Sequence, residues 1–312
     1  MLRPSQGSFP TKVTHETCWI AFTEWNSRQR QNVVVAVHGL ARQARDFDAL
    51  GHALAPDFRT IAVDMVGRGR SGWLSDKEGY TYDSYIRHCH ALLKYRGLEK
   101  VDWVGTSMGG LIGMMIAAQE ETPIKHLVLN DVGPFIPKAA LEYIGTYVGT
   151  DPRFDNLNAV GDYMRETYAS WGALPDIAWS EMVQHSVIRE ADGSYRLHYD
   201  PAIGDIFREE QKDVDLWALW DMIEIPVLVL RGADSTLLTR ETADEMTKRG
   251  PKATLVEIPD CGHAPSLMVD SQTHIIRNWL LEQMRKDEMR ADGIDPDLGE
   301  HDDPLGRHLN EK

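Results

Sequence analysis

Short apolar runs alternate with longer stretches of helical periodicity from residue 18 to residue 132. Short apolar runs bounded by turn signals are typical of buried strands, and strands that alternate with helices form a mostly parallel sheet. The pattern predicts strands at residues 18–24, 33–37, 60–64, 101–105, 125–130, 227–231 and 253–258. We therefore expect an α/β fold with a mostly parallel central sheet and helices on both faces.

A long interruption separates the last two predicted strands from the others. Residues 134–222 have helical periodicity and many aromatic side chains, and the segment "DGSYRLHYD" alternates like a short hairpin. This predicts a mainly helical cap (134–222) inserted between two late strands of a core formed by 1–133 and 223–284. Residues 285–312 are acidic, poor in apolar residues and broken by Pro and Gly, so we expect a disordered tail.

Composition narrows the classes of partner. The chain has 312 residues, 42% of them hydrophobic, and a formal net charge of −15. This charge disfavours nucleic acid and anionic membranes as partners, and a small-molecule ester fits better. No apolar run reaches the length of about 18 residues that a bilayer span needs, and the first residues lack the apolar core of a signal peptide. We expect a cytoplasmic monomer or homodimer.

A candidate nucleophile lies in the sequence "VDWVGTSMGGLIGMMIAA", where Ser107 stands between Gly105 and Gly109. A strand, then Gly-x-Ser-x-Gly, then a helix places a serine on a strained turn with its hydroxyl raised into a cleft. Side chains at the glycine positions would collide across so tight a bend. The sequence therefore predicts that Ser107 is a nucleophile.

A serine nucleophile needs a base, and a third group that orients the base. His263, in "VEIPDCGHAPSL", follows the last predicted strand, where this topology brings a base over the serine. Two aspartates compete for the third position. Asp234 follows strand 227–231, in the order serine, aspartate, histidine, and is the preferred candidate. Asp131 closes strand 125–130, which is next to the nucleophile's strand, and is the alternative because it could reach the same histidine from another direction.

Acyl transfer also needs donors for an oxyanion, and two backbone amides are the candidates. One is Met108 N–H, at the start of the helix after the nucleophile, and the other is Leu40 N–H, in the turn after strand 33–37. We interpret His38 as a structural residue that bonds this loop. The three cysteines are odd in number and lack the spacing of metal ligands, so they indicate neither a disulfide framework nor a metal site. Acyl transfer by a serine, a histidine and an aspartate requires no metal or organic cofactor.

The cap's aromatic residues suggest an apolar pocket, although such residues at helical spacing are also typical of a core. The candidates for substrate binding are Tyr143, Tyr147, Trp171 and Trp217. Arg42 and Gln43 follow the turn that carries Leu40 N–H. They either face the cleft or form a solvated pair, and we favour the solvated pair.

Five motifs together resemble the α/β-hydrolase fold family, in a form with a cap. They are "HGL" at 38–40, "DMVGRGRS" at 64–71, "GTSMGG" at 105–110, "LRGADS" at 230–235 and "CGHAP" at 261–265. The resemblance implies a carboxylesterase-like or lipase-like serine hydrolase, and some such enzymes accept hydroxyacid polyesters. It also leaves open a C–C bond hydrolase that acts on dienol carboxylates, with a perhydrolase and a ligand-sensing protein as further alternatives.

Overall fold

A computed structural model of the chain describes residues 3–13, 16–26 and 31–296. Its strands, numbered in chain order, are β1 (Ser5–Val13), β2 (Glu16–Trp25), β3 (Val33–Val37), β4 (Arg59–Val63), β5 (Val101–Thr106), β6 (Ile124–Asn130), β7 (Phe135–Ile136), β8 (Val187–Arg189), β9 (Tyr195–Leu197), β10 (Val214–Asp215), β11 (Val227–Gly232) and β12 (Thr254–Ile258).

The α-helices are α1 (Asp48–Leu54), α2 (Tyr82–Arg96), α3 (Met108–Ala117), α4 (Lys138–Gly145), α5 (Leu157–Thr167), α6 (Asp176–His185), α7 (Trp217–Trp220), α8 (Arg240–Met246) and α9 (Asp270–Ala291). Among the described residues, four 3-10 helices accompany them, at Ala44–Phe47, Lys77–Gly79, Ala169–Trp171 and Pro201–Arg208. None of the helices within the described ranges has both the length and the apolarity needed to cross a bilayer.

Eight strands form the main sheet, in the order β1-β2-β4-β3-β5-β6-β11-β12. The pairs from β4 to β12 are parallel, while β2 pairs antiparallel with both β1 and β4. The mostly parallel α/β sheet predicted from the sequence is thus confirmed. The sequence analysis missed β1. Phe9 is the only buried residue among those of β1 whose burial the structure describes, and Pro10 interrupts the pattern, as an edge strand allows.

The core lies in two layers, one on each face of the sheet. Along β3, Val33, Val35 and Val37 belong to the apolar cluster that includes α2 and α3, whereas Val34 and Ala36 belong to the cluster of α1 and α9. Since side chains of a strand alternate between faces, a strand covered on both sides needs an unbroken apolar run. This is why "VVVAV" carries no polar residue.

Residues 134–222 lie between β6 and β11, which are neighbours in the sheet. The short antiparallel pair of β7 and β10 joins the two ends of this segment, and a third apolar cluster packs inside it. The segment holds α4 to α7 and the hairpin of β8 and β9. Asp200 ties it to the sheet domain, because its carboxylate accepts hydrogen bonds from Lys77 and from the Tyr80 hydroxyl, the latter at 2.7 Å.

The expectation of disorder from residue 285 onward is wrong for residues 285–291, which continue α9. All but Asp287 of these residues are good helix formers, and the pair of Glu282 and Lys286, at 2.9 Å, supports the helix at i,i+4 spacing. Gly293, with φ 76°, follows the end of α9, and Ile294 N–H donates to Met289 O at 2.8 Å. The part of the predicted tail from residue 297 lies outside the described residues.

Candidate active site

Ser107 stands in the turn between β5 and α3. Its backbone has φ 52° and ψ −115°, a strained conformation for a residue with a side chain. A Cβ atom on Gly109 would overlap the carbonyl oxygen of Val37, and one on Gly105 would overlap the backbone of Gly109. The two glycines therefore let β3, β5 and the helix start approach closely enough to raise the serine at the carboxyl end of the sheet.

The loop between β12 and α9 brings His263 to the serine. Its Nε2 lies 3.0 Å from Ser107 Oγ, which is hydrogen-bond distance. The histidine side chain keeps a relative exposure of 20%, so it can be reached from the cleft. The sequence analysis selected these two side chains, and the structure places them in contact.

The acidic partner of His263 is Asp131 in this structure, so our preference for Asp234 is corrected. Asp131 Oδ2 lies 2.7 Å from His263 Nδ1 and accepts a hydrogen bond from the Ser235 hydroxyl at 2.6 Å. Its Oδ1 accepts one from Gly232 N–H at 2.8 Å. The carboxylate is fully buried, and these donors stabilise its charged form.

Asp234 lies nearby but has another position. Its side chain is exposed at the cavity wall, and its backbone N–H donates to Cys261 O at 2.8 Å. Both aspartates follow a strand and both satisfy the order serine, acid, histidine, so sequence order did not separate them. The contact with His263 Nδ1 separates them: β6 ends at Asn130 beside the nucleophile's strand β5, and Asp131, which follows it, reaches the histidine.

His38 fixes the turn after β3. Met65 N–H donates to His38 Nε2 at 3.0 Å, so Nδ1 carries the proton and donates to Gly39 O at 2.7 Å. Gly39 O also accepts from Arg42 N–H at 3.1 Å. In a trans peptide the N–H points opposite to the C=O, so these two bonds fix the direction of Leu40 N–H. Burial lowers the pKa of His38 to about 3, which keeps it neutral, and its predicted structural role is confirmed.

The two amides predicted to bind an oxyanion flank the serine. Leu40 lines the cavity beside Ser107, and Met108 is the first residue of α3, where the helix dipole favours negative charge. In the described part of the chain, neither N–H is used in another backbone hydrogen bond. Arg68 Nε donates to Leu40 O at 2.8 Å and holds this turn from behind.

A cavity of about 550 Å³ opens over Ser107 and His263. Tyr143, Tyr147 and Trp171 line it, whereas Trp217 does not, because its ring packs against the Arg249 guanidinium at 4.7 Å. The proposed pocket role of Trp217 is therefore wrong. A sequence window shows that a tryptophan lies on an amphipathic segment, but it does not show which neighbour covers the ring.

The expectation that Arg42 and Gln43 are solvated is also wrong, since both are buried. Arg42 lines the cavity, forms an ion pair with Asp46, and lies 5.0 Å from the ring centroid of Tyr168. Tyr168, which also lines the cavity, was missed by the sequence analysis. Burial raises its pKa, and Arg42 partly offsets that effect.

The inserted segment holds the histidine loop. Ser170, in the 3-10 helix Ala169–Trp171, donates through its hydroxyl to His263 O at 3.0 Å, and its backbone carbonyl oxygen accepts from Gly262 N–H at 2.6 Å. Cys261 in the same loop is a buried thiol, and burial raises its pKa to about 12. It therefore stays protonated near neutral pH and is a poor competing nucleophile.

The chain belongs to the α/β-hydrolase fold family, since the family model matches residues 32–267. It is 40% identical over 266 residues to a 3-hydroxybutyrate-oligomer hydrolase from Cupriavidus necator, covering 82% of this chain and 90% of that protein. The predicted enzyme class, a carboxylic ester hydrolase, is confirmed by this similarity.

Two further relatives are less similar to this chain in sequence. An α/β hydrolase structure from Novosphingobium aromaticivorans is 31% identical with a TM-score of 0.81, covering 90% of this chain and 99% of that one. A 2-hydroxy-6-oxo-6-(2'-aminophenyl)hexa-2,4-dienoic acid hydrolase from Metapseudomonas resinovorans is 26% identical over 229 residues, covering 67% of this chain and 69% of that protein.

Proposed function

We propose that this enzyme hydrolyses the ester bonds of short hydroxyacid oligomers through an acyl-enzyme, with Ser107 as nucleophile, His263 as base and Asp131 as the orienting acid. The observation that carries the proposal is the unbroken chain of contacts from Ser107 Oγ to His263 Nε2, 3.0 Å, and from His263 Nδ1 to Asp131 Oδ2, 2.7 Å. Both distances suit proton transfer and tautomer control.

In the first half of the reaction, His263 accepts the proton of Ser107 as the hydroxyl attacks the ester carbonyl. The amides of Leu40 and Met108 donate to the oxyanion, and Asp131 stabilises the imidazolium. His263 then gives its proton to the leaving hydroxyacid alcohol, so the ester oxygen departs neutral. In the second half, His263 deprotonates a water molecule, which attacks the acyl-enzyme carbonyl. When the tetrahedral intermediate collapses, the acid is released and His263 returns the proton to Ser107 Oγ, which restores the free enzyme.

The size and the mainly apolar walls of the site are consistent with a short oligomer chain. A cavity of about 550 Å³ lies within the range of small-molecule sites, roughly 300–1,000 Å³. Its walls include apolar residues of α4, Ala140 and Ile144, with Leu237 near them.

The net charge of −15 supports a small-molecule partner rather than nucleic acid. Three unpaired cysteines support the reducing environment of the cytoplasm.

The direct test uses a 3-hydroxybutyrate dimer and trimer together with 4-nitrophenyl butyrate, each offered to the wild type and to Ser107→Ala. We expect the wild type to hydrolyse all three, and the variant to lose at least about 10³-fold in kcat on each of them. Activity on 4-nitrophenyl butyrate without hydrolysis of the oligomers would contradict the substrate class. Strong turnover of a dienol carboxylate with no ester hydrolysis would favour the C–C bond hydrolase.

A further inference from the structure

Two charged side chains stand in the wall of the cavity that holds Ser107. Arg42 lies in the turn after Leu40, and Asp46 lies one helical turn further along the chain, in the 3-10 helix Ala44–Phe47. Their side chains retain relative exposures of only 7% and 11%. The reaction steps proposed above use neither residue, so their placement beside the nucleophile calls for another explanation.

The geometry of this pair is bidentate. Arg42 Nε donates to Asp46 Oδ2 at 2.7 Å, and Nη2 donates to Oδ1 at 2.6 Å. Stability alone does not account for it, because a buried ion pair can usually be replaced by apolar residues of similar size without loss. The guanidinium has five donor N–H groups and a carboxylate has four lone-pair sites, so both partners retain capacity for a ligand.

The pair is also held rigidly. Arg42 N–H donates to Gly39 O at 3.1 Å, so the residue is fixed to the oxyanion turn. Its guanidinium lies 5.0 Å from the ring centroid of Tyr168 and 5.5 Å from that of Trp171, at a distance where cations are attracted to aromatic faces. A rigid polar group in a mainly apolar cavity is the arrangement that orients ligands.

We propose that the pair of Arg42 and Asp46 is a subsite that binds the terminal hydroxyl group of a hydroxyacid oligomer while Ser107 attacks an ester bond of the same molecule. This inference rests on the proposed function and deepens it. A hydroxyl can accept a hydrogen bond from Arg42 and donate one to Asp46, which matches a donor and an acceptor side by side. A carboxylate fits less well, because it would compete with Asp46 for the same guanidinium and would be repelled by its charge.

The test compares two dimers that differ only in this hydroxyl: 3-hydroxybutyryl-3-hydroxybutyrate and butyryl-3-hydroxybutyrate. Removing the hydroxyl leaves the buried charged groups without their ligand, and hydrogen bonds to charged groups are worth a factor of about 10 to 150. We therefore expect the wild type to prefer the hydroxylated dimer by about 10- to 150-fold in kcat/KM. The methyl ester of that dimer, in which the carboxylate is blocked, is expected to react within about 3-fold of the free acid.

The double variant Arg42→Met/Asp46→Leu removes both charges at once, so no unpaired charge is left buried. We expect it to reduce the preference to less than about 3-fold. The matched control is Arg45→Met/Asp48→Leu, which removes a neighbouring ion pair, 2.5 Å between its charged atoms, that does not line this cavity. The control should retain the wild-type preference. If the first double variant fails to fold, Asp46→Asn, which keeps the shape and removes the charged acceptor, should lower the preference instead.

Equal kcat/KM on both dimers in the wild type would overturn the inference while leaving the proposed function intact. A preference that persists in Arg42→Met/Asp46→Leu would overturn it as well, and so would a large loss of activity on the methyl ester, which would assign the pair to the carboxylate. Failure of the wild type to hydrolyse either dimer, with 4-nitrophenyl butyrate still cleaved, would overturn both the oligomer substrate and the subsite.

Discussion

Lowering the pH should reduce the free energy of unfolding through the protonation of His38. Burial lowers the pKa of this histidine from the ordinary 6.5 to about 3, so the folded state keeps it neutral. The unfolded chain takes up a proton below pH 6.5, and the stability that the neutral histidine contributes is therefore present above pH 6.5 and lost as the pH falls toward 3. Between pH 8 and pH 5 the loss is about 2 kcal/mol, from the difference in proton binding of the two states.

Other buried groups titrate in the same range, so a difference between variants is needed. Burial lowers the pKa of His88 to about 4, which adds to the acid sensitivity, and raises that of Asp64 to about 6, which opposes it. Comparing the wild type with His38→Gln cancels both of these contributions. Glutamine retains a donor and an acceptor for Gly39 and Met65 but does not titrate.

The assay is urea unfolding at pH 8 and pH 5, followed by tryptophan fluorescence. We expect the free energy of unfolding of the wild type to decrease between the two pH values by about 2 kcal/mol more than that of His38→Gln. His274→Gln, at an exposed position on α9, serves as the control and should keep the wild-type pH dependence. Equal pH dependence of the wild type and His38→Gln would refute the reasoning that His38 is held neutral in the fold.

Two further predictions concern the nucleophile turn and the cavity. Gly109→Ala should lower the free energy of unfolding by at least about 3 kcal/mol, because the added methyl group overlaps Val37 O. Gly97 has φ 64°, but no atom lies within 4 Å of the added carbon, so Gly97→Ala should lower the free energy of unfolding by only about 1 kcal/mol. Urea denaturation of both variants measures this, and equal losses would contradict the steric argument. Tyr147→Ala should shift the preferred acyl length of 4-nitrophenyl esters upward, since the residue lines the cavity, and Trp217→Ala should leave the profile as in the wild type. A shift caused by Trp217→Ala would place that ring in the cavity after all.

Local patterns allowed much of the fold to be predicted. A buried parallel strand is an unbroken apolar run, so β3 and β11 were recognisable, and the strand-turn-helix context identified Ser107. His263 followed from its place after the last strand. Each of these features depends on residues close together in the chain.

The remaining features depend on contacts that a sequence window does not contain. The sequence already indicated that Asp131 follows the strand next to the nucleophile's, but the choice between Asp131 and Asp234 depended on contacts of the folded site, namely those of Asp131 with His263, Gly232 and Ser235. The burial of Arg42 depends on its contact with Tyr168, which lies 126 positions further along the chain. Such pairings are decided by tertiary packing rather than by periodicity.

The identity of the acid is the claim that most directly tests the account of the site. In Asp131→Asn, an amide that keeps its oxygen on Gly232 N–H would present its NH₂ group to His263 Nδ1, which would move the ring proton to Nε2 and prevent that atom from accepting the proton of Ser107. The measurement is kcat for 4-nitrophenyl butyrate at pH 8 in the wild type, Asp131→Asn and Asp234→Asn, with thermal unfolding to confirm that each variant is folded. We predict a loss of about 10⁴-fold for Asp131→Asn and a change of less than about 3-fold for Asp234→Asn. A folded Asp131→Asn with near wild-type kcat, or a loss confined to Asp234→Asn, would contradict the account.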